Sequence, residues 1–356
     1  MQDKSELPYY ETRSMPYNRA LDGVRALAII AVLMFHCRAP GGIGGFLGVD
    51  VFFVLSGYLI TSLLAAEYRN GGIDIGAFYA RRALRLYPTL LLLLAAYLVL
   101  APVLWPGEDR WLVAAVNAVY MMDYALVFWH LPATVGHTWS LGVEEKFYLL
   151  WPLLLPLVLR TRRPVTWLLA AFIALTAWRY FVALESGWAQ AYFRFDTRMS
   201  GIILGAVAAL ARINVSKPAF LIACIALAVT VALPIIPTTT RMVPVEGVTL
   251  GITMAELSAF LLIGYVAKHP SCSLLASAPM VFIGKLSYGI YLWHFPLVFL
   301  LRDIHSQPWW ITLTATLLFS VAMAAICLYW VDAPIKKWRE KAWPLRATVA
   351  SLGARP

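Results

Sequence analysis

The sequence predicts an all-α polytopic membrane protein with about ten transmembrane helices. Three observations carry that prediction. The 356 residues are 61% hydrophobic, with a mean hydropathy of +0.72. Only 13% are charged, far fewer than in a soluble domain of this length. Apolar runs of about 18 residues or more recur along the whole chain. Lys and Arg fall in short clusters between those runs, so the net charge of +10 is an orientation signal and not a nucleic-acid surface.

The spans are read at 20–38, 47–66, 87–105, 143–159, 165–184, 199–211, 218–236, 248–267, 280–301 and 309–331. Lys4, Arg13 and Arg19 precede the first, and Arg69, Arg81, Arg82 and Arg85 separate the second from the third. Arg160, Arg162 and Arg163 follow the fourth, Arg212 and Lys217 the sixth, and Lys336, Lys337, Arg339, Lys341 and Arg346 the tenth. All lie on one side if the N-terminus is cytoplasmic, which puts the C-terminus there too. The polar first twenty residues do not resemble a cleavable signal peptide. The expected organisation is a cytoplasmic tail over 1–19, one membrane domain over 20–331 and a basic cytoplasmic tail over 332–356.

Residues 106–142 break the pattern. Their apolar stretch at 111–129 would put Arg160–Arg163 outside if it crossed. The segment is therefore expected to be re-entrant or to lie at the outer face, where irregular backbone needs surrounding protein or a watery cavity. No internal repeat is evident, which weakens an inverted-repeat transporter reading. Cys37, Cys224, Cys272 and Cys327 are scattered without metal spacing, so no metal site is expected and no disulfide is assigned.

Ionisable residues inside spans are functional candidates by default. In "LDGVRALAIIAVLMFHC", Asp22, Arg25 and His36 share one helical stripe, Arg25 and His36 standing about 16 Å apart along the axis. The stripe makes His36 a candidate base, and the alternative for Asp22–Arg25 is a helix-end ion pair. Asp50 opens the second span at the expected level of His36, where a carboxylate can orient an imidazole; the alternative is a helix-start charge. Ser56 and Gly57 read as packing residues. In "FYARRALRLYP", Arg81 and Arg85 share a face and, with Arg82, suit phosphate groups; lipid headgroups are the alternative. In "GHTWSLGVEEKFYLLWP", His137, Trp139, Ser140, Glu144, Glu145 and Tyr148 crowd the expected outer mouth of the fourth span. They suit a polar cavity for a sugar, or else a capped helix start. Ser287, Tyr291 and His294 form a weaker stripe, read as an interface anchor before a functional one.

Together, "LDGVRALAIIAVLMFH", "GFLGVDVFFVLSGYLI", "RRALRLYP", "TWSLGVEEKFYLLWPLLL" and "SYGIYLWHFP" resemble the acyltransferase-3 family of integral-membrane O-acyltransferases, from about residue 17 to about 340. The resemblance implies about ten membrane helices and transfer of an acyl group from cytoplasmic acyl-CoA, commonly acetyl-CoA, to a hydroxyl of a cell-envelope glycan or lipid-linked sugar. It implies a bacterial inner-membrane enzyme with no permanently bound cofactor. His36 matches the family's helix-1 histidine, Arg25 its nearby arginine, and Arg81, Arg82 and Arg85 its donor-linked basic motif. Trp139, Ser140, Leu141 and Glu144–Glu145 match its Trp-Ser-Leu…Glu motif. The mechanism expected from the placement of these residues has His36 as catalytic base, Asp50 orienting it, the acyl-pantetheine arm passing the catalytic Arg25 face, Arg81, Arg82 and Arg85 holding the acyl-CoA phosphates, and Trp139, Ser140, Glu144, Glu145 and Tyr148 contacting the acceptor. Two departures stand out: Lys146 where the family usually has Gln, and Asp332-Ala333-Pro334 where it usually has Glu-x-Pro. Many relatives carry a further C-terminal esterase-like domain, for which this chain is expected to end too soon. The alternatives are a polysaccharide or lipid-linked sugar transporter or flippase, and an enzyme acylating a secreted small molecule such as a macrolide.

Overall fold

The computed structural model describes residues 17–131, 134–211, 213–232 and 245–342. Among the described residues there is no strand, and ten helices of fifteen or more residues coincide with the ten predicted spans. They are α1 (Arg19–His36), α2 (Gly48–Arg69), α3 (Ile75–Leu104), α4 (Trp139–Arg160), α5 (Pro164–Ser186), α6 (Phe195–Ala211), α7 (Lys217–Ala232), α8 (Ile252–Val266), α9 (Ala278–Val298) and α10 (Trp309–Ile326). Lys4, Arg13, Arg212, Arg346 and most of both expected tails lie outside the described residues.

Among the described residues, five stretches are long and apolar enough to cross a membrane: Gly45–Arg69, Ile75–Leu104, Pro164–Ser186, Gly247–Val266 and Trp309–Trp338. The other long helices fall short for physical reasons that bear on function. α6 and α7 are short. α1 carries Arg19, Asp22 and Arg25; α4 carries Glu144, Glu145 and Lys146; α9 carries Lys285 and the Ser287–Tyr291–His294 stripe. Apolar side chains such as Val99, Val103, Leu184 and Leu318 face outward from α3, α5 and α10, whereas α2 and α8 are largely enclosed.

The segment between α3 and α4 has no long helix. Its longest piece, Arg110–Ala118, has nine residues and reaches about 14 Å, under half of a hydrocarbon core. Met122–Tyr124, a wide turn over Ala125–Trp129 and a tight one over Gly136–Thr138 follow.

One expected boundary moves. α3 begins at Ile75, capped by Asp74 Oδ1 accepting from Ala77 N at 3.0 Å, so Arg81, Arg82 and Arg85 lie inside a helix and not ahead of one. The glycine-rich turn after α1 is closed by hydrogen bonds from Arg38 N to Phe35 O (3.0 Å) and Ala39 N to Met34 O (2.9 Å). At its other end Asn18 caps α1 and donates to Val266 O at 2.9 Å, fastening the start of α1 to the end of α8.

The most extensive helix pair is α2 with α6. Its closeness follows from glycine: a Cβ on Gly57 would meet the Ile202 carbonyl, and one on Gly205 the Val54 carbonyl. Gly201 and Gly205 are the small residues of a Gly-x-x-x-Gly face, which lets two backbones touch in a membrane. Gly205→Val is expected to destabilise the protein by about 1–3 kcal/mol through overpacking. The thermal stability of the detergent-solubilised protein measures it, and an unchanged melting curve would show that α2 and α6 can separate freely.

Candidate active site

The start of α4 threads three polar clusters, each completed by other helices. The first stands at the end of α1. His36 is half-buried there, while His137 and His294 are buried. His36 Nδ1 lies 2.9 Å from His294 Nε2, and His294 Nδ1 lies 2.6 Å from the Tyr291 carbonyl. The rings of His36 and His294 stack at 5.0 Å between centroids, and His137 meets His294 edge-on at 5.3 Å. Phe295 packs on both His36 and His137.

Backbone chemistry explains part of this arrangement. Pro296 has no N–H, so the Leu292 carbonyl lacks its helical partner; it accepts from His137 Nε2 at 3.1 Å. Tyr291 Oη donates to the His137 carbonyl, so Ser140 Oγ, 2.6 Å away, is the donor to Tyr291. The His36 carbonyl, one of the unpaired acceptors at a helix C-terminus, accepts from Arg302. Asp303 holds Arg302 through contacts of 2.9 and 2.6 Å.

The second cluster joins α2, α3 and α4. Arg82 Nε donates to Glu145 Oε1 at 3.1 Å, and the Arg82 guanidinium lies 3.6 Å from the Tyr148 ring centroid. Tyr148 and Ser56 are hydrogen-bonded, and Ser56 Oγ donates to Glu144 Oε1 at 2.5 Å. Arg25 and Arg85 are within electrostatic range of Glu144. Arg81 pairs with Glu67 at 2.7 Å.

The third cluster is fully enclosed. Arg198 Nη2 lies 2.8 Å from Asp50 Oδ1, and Arg179 Nη1 lies 3.1 Å from Glu256 Oε1; all four side chains are 0% exposed. Aromatic rings of Phe53, Trp139 and Tyr192 surround the Arg198 guanidinium. Ser200 links the second pair, accepting from Arg179 and donating to Glu256, both at 2.6 Å. Among the described residues no group of three or more His, Cys, Asp or Glu is arranged to hold a metal.

A family profile described as an acyltransferase domain matches residues 18–331. The chain belongs to the acyltransferase-3 family. It is 31% identical to O-acetyltransferase OatA of Staphylococcus aureus (strain NCTC 8325 / PS 47), over 94% of this chain and 59% of that protein. It is 30% identical to YrhL of Bacillus subtilis (strain 168), provisionally named a peptidoglycan O-acetyltransferase, over 92% of this chain and 56% of that protein. The chain thus spans less than two thirds of the length of these curated relatives. No solved structure matches the chain.

The family motifs are brought together differently from their sequence-based roles. Asp50 does not pair with His36: a fully buried carboxylate needs a full countercharge, which Arg198 supplies, and His294 is the hydrogen-bond partner of His36 instead. The basic motif and the glutamate pair, expected at opposite ends of the bundle, share one cluster through Arg82 and Glu145. The five residues grouped as acceptor contacts divide: Trp139 packs against Phe53 and Tyr192 beside Arg198, Ser140 joins Tyr291, and Glu144, Glu145 and Tyr148 join Arg82. Arg25 makes the helix-end pair with Asp22, at 4.0 Å.

The two departures from the family pattern also find places. Asp332 accepts from Thr89 at 3.1 Å, tying the chain after α10 to α3. Lys146 Nζ donates to Asp123 Oδ1 at 2.8 Å and to the Tyr120 carbonyl at 2.6 Å. Its partners lie in the broken segment before α4, so it pins that segment to the bundle. Lys146→Gln is expected to strip the buried Asp123 of its countercharge and destabilise this contact by about 1–3 kcal/mol. Amide hydrogen exchange over 110–131 should then quicken, and Lys146→Gln/Asp123→Asn should restore protection. Unaltered exchange in the single variant would remove the pinning role.

Proposed function

We propose that the chain is a membrane O-acetyltransferase that moves an acyl group from acyl-CoA, acetyl-CoA first, to a hydroxyl of a cell-envelope glycan. In this reading all ten long helices cross a bacterial inner membrane, both termini are cytoplasmic, and the segment before α4 stays at the outer face. Family membership and the names of OatA and YrhL support the reaction and the glycan acceptor. The observation that carries the proposal is the histidine chain at the half-buried end of α1, where His36 is held by His294.

His36 takes the proton of the acceptor hydroxyl as its oxygen attacks the thioester carbonyl. The tetrahedral intermediate collapses, the C–S bond breaks, and the proton passes to the departing CoA thiolate. The negative end of the α1 dipole favours the imidazolium formed on the way. Arg81, Arg82 and Arg85 hold the CoA phosphates from the cytoplasmic side; Glu67 and Glu145 order the first two before the donor binds.

The test uses purified protein in proteoliposomes with acetyl-CoA and a peptidoglycan fragment, reading CoA release and the acceptor's mass. The expected result is one added acetyl group per CoA released, with His36→Ala as the blank. Glycan crossing the bilayer with no consumption of donor would overturn the proposal in favour of a transporter.

A further inference from the structure

We infer that His294 is the positioning residue of the base: a neutral histidine that fixes the tautomer of His36 in the place a carboxylate occupies in a catalytic triad. The inference rests on the reading of His36 as base, and its argument is proton accounting. A carbonyl oxygen only accepts, so the 2.6 Å contact with Tyr291 O makes His294 Nδ1 the N–H donor. A neutral imidazole has one N–H, so His294 Nε2 carries a lone pair. His36 Nδ1, 2.9 Å from that nitrogen, must then donate. This leaves the lone pair of His36 on Nε2, the nitrogen that accepts the substrate proton.

The same chain serves the protonated state. When Nε2 takes a proton, His36 becomes an imidazolium whose Nδ1–H still donates to His294, now through a stronger, charge-assisted bond. No proton need leave Nδ1 and no group need rotate.

The surroundings explain why the partner is a histidine. His294 is 0% exposed in a helix interior. A carboxylate there would need its own cation, as Asp50 and Glu256 do. The nearby Arg302 is occupied with the His36 carbonyl and Asp303. A neutral acceptor needs none. His137 completes the wall: its ring stands edge-on to His294, and its own N–H is spent on the Leu292 carbonyl.

Two measurements test the inference. The first needs no turnover: imidazole ¹⁵N spectra of the histidine-labelled protein in detergent, with the His36 and His294 signals assigned by their loss in His36→Ala and His294→Phe. Both residues are expected as Nδ1–H tautomers. A wild-type His36 protonated at Nε2 overturns the proposal. The second is kinetic. His294→Phe keeps a ring but no acceptor, and is expected to lower kcat by about 10²-fold or more, as when a base is left in the wrong tautomer, with the acyl-donor KM little changed. His294→Gln retains an amide oxygen that can accept from His36 Nδ1, and is expected to recover at least about tenfold of that loss. Should His294→Phe fail to fold, the His294→Gln rate and the wild-type spectrum still decide. Activity lost in His36→Ala but kept in His294→Phe overturns the positioning role and leaves the base assignment standing. Activity kept in His36→Ala overturns the base assignment, while the spectrum still reports the tautomer.

Discussion

Replacing Glu256 with leucine is expected to destabilise the protein by about 3–5 kcal/mol. Arg179 Nη1 and Nη2 meet the two oxygens of Glu256 at 3.1 and 3.2 Å, and Thr253 accepts from Nη2 at 2.9 Å. Without Glu256 the guanidinium stays fully enclosed with only hydroxyl partners, because the other nearby carboxylate, Asp50, is committed to Arg198. The loss spreads beyond one side chain. Arg179 lies on α5, Ser200 on α6 and Glu256 on α8, so the pair fastens three helices. The double variant Arg179→Met/Glu256→Leu should recover much of the loss, since it removes both desolvation penalties together. Unfolding by titration with a denaturing detergent reads all three proteins. A single-variant cost below about 1 kcal/mol, the range of a surface pair, would show that the network contributes little to the fold.

That network also shows where the sequence ceased to be readable. Apolar runs located all ten long helices, because a bilayer or a bundle core makes the same demand on every turn. The span of α3 is read from 87 because the arginines at 81–85 interrupt the apolar run, although Asp74, whose side chain caps Ala77 N, marks the earlier helix start. His36 was legible as an ionisable residue at the end of an apolar run. His294 was singled out but set aside, since a Ser-Tyr-His stripe has the same spacing whether it anchors a membrane interface or supports a base, and its partner lies 258 positions away. Arg179 and Arg198 are not among the residues the sequence singles out. Charge balance was the available signal: Asp50 inside a span requires a cation, and Arg198 in "FRFDTRMSG" stands where an adjacent helix begins. What periodicity does not encode is which helices become neighbours, and every regrouping of the candidate site residues turns on that.

His36→Ala is expected to lower kcat for acyl transfer by about 10²–10⁴-fold, the contribution of a positioned general base. The donor KM should change little, because the groups proposed to hold CoA, Arg81, Arg82 and Arg85, lie on α3, where Arg81 and Arg82 engage carboxylates of α2 and α4. The fold should persist. His36 ends α1, and its bond to Arg302 uses the main-chain carbonyl, which alanine retains. The replacement also vacates a ring-sized space beside His294 and Phe295, so added imidazole should restore part of the rate. Arg82→Ala should behave in the opposite way, raising the donor KM and showing no response to imidazole. That contrast separates proton transfer from donor binding within one assay. Wild-type kcat in His36→Ala would end the assignment of His36 as base. A large loss that imidazole does not relieve, accompanied by a raised donor KM, would instead make His36 a part of the donor site.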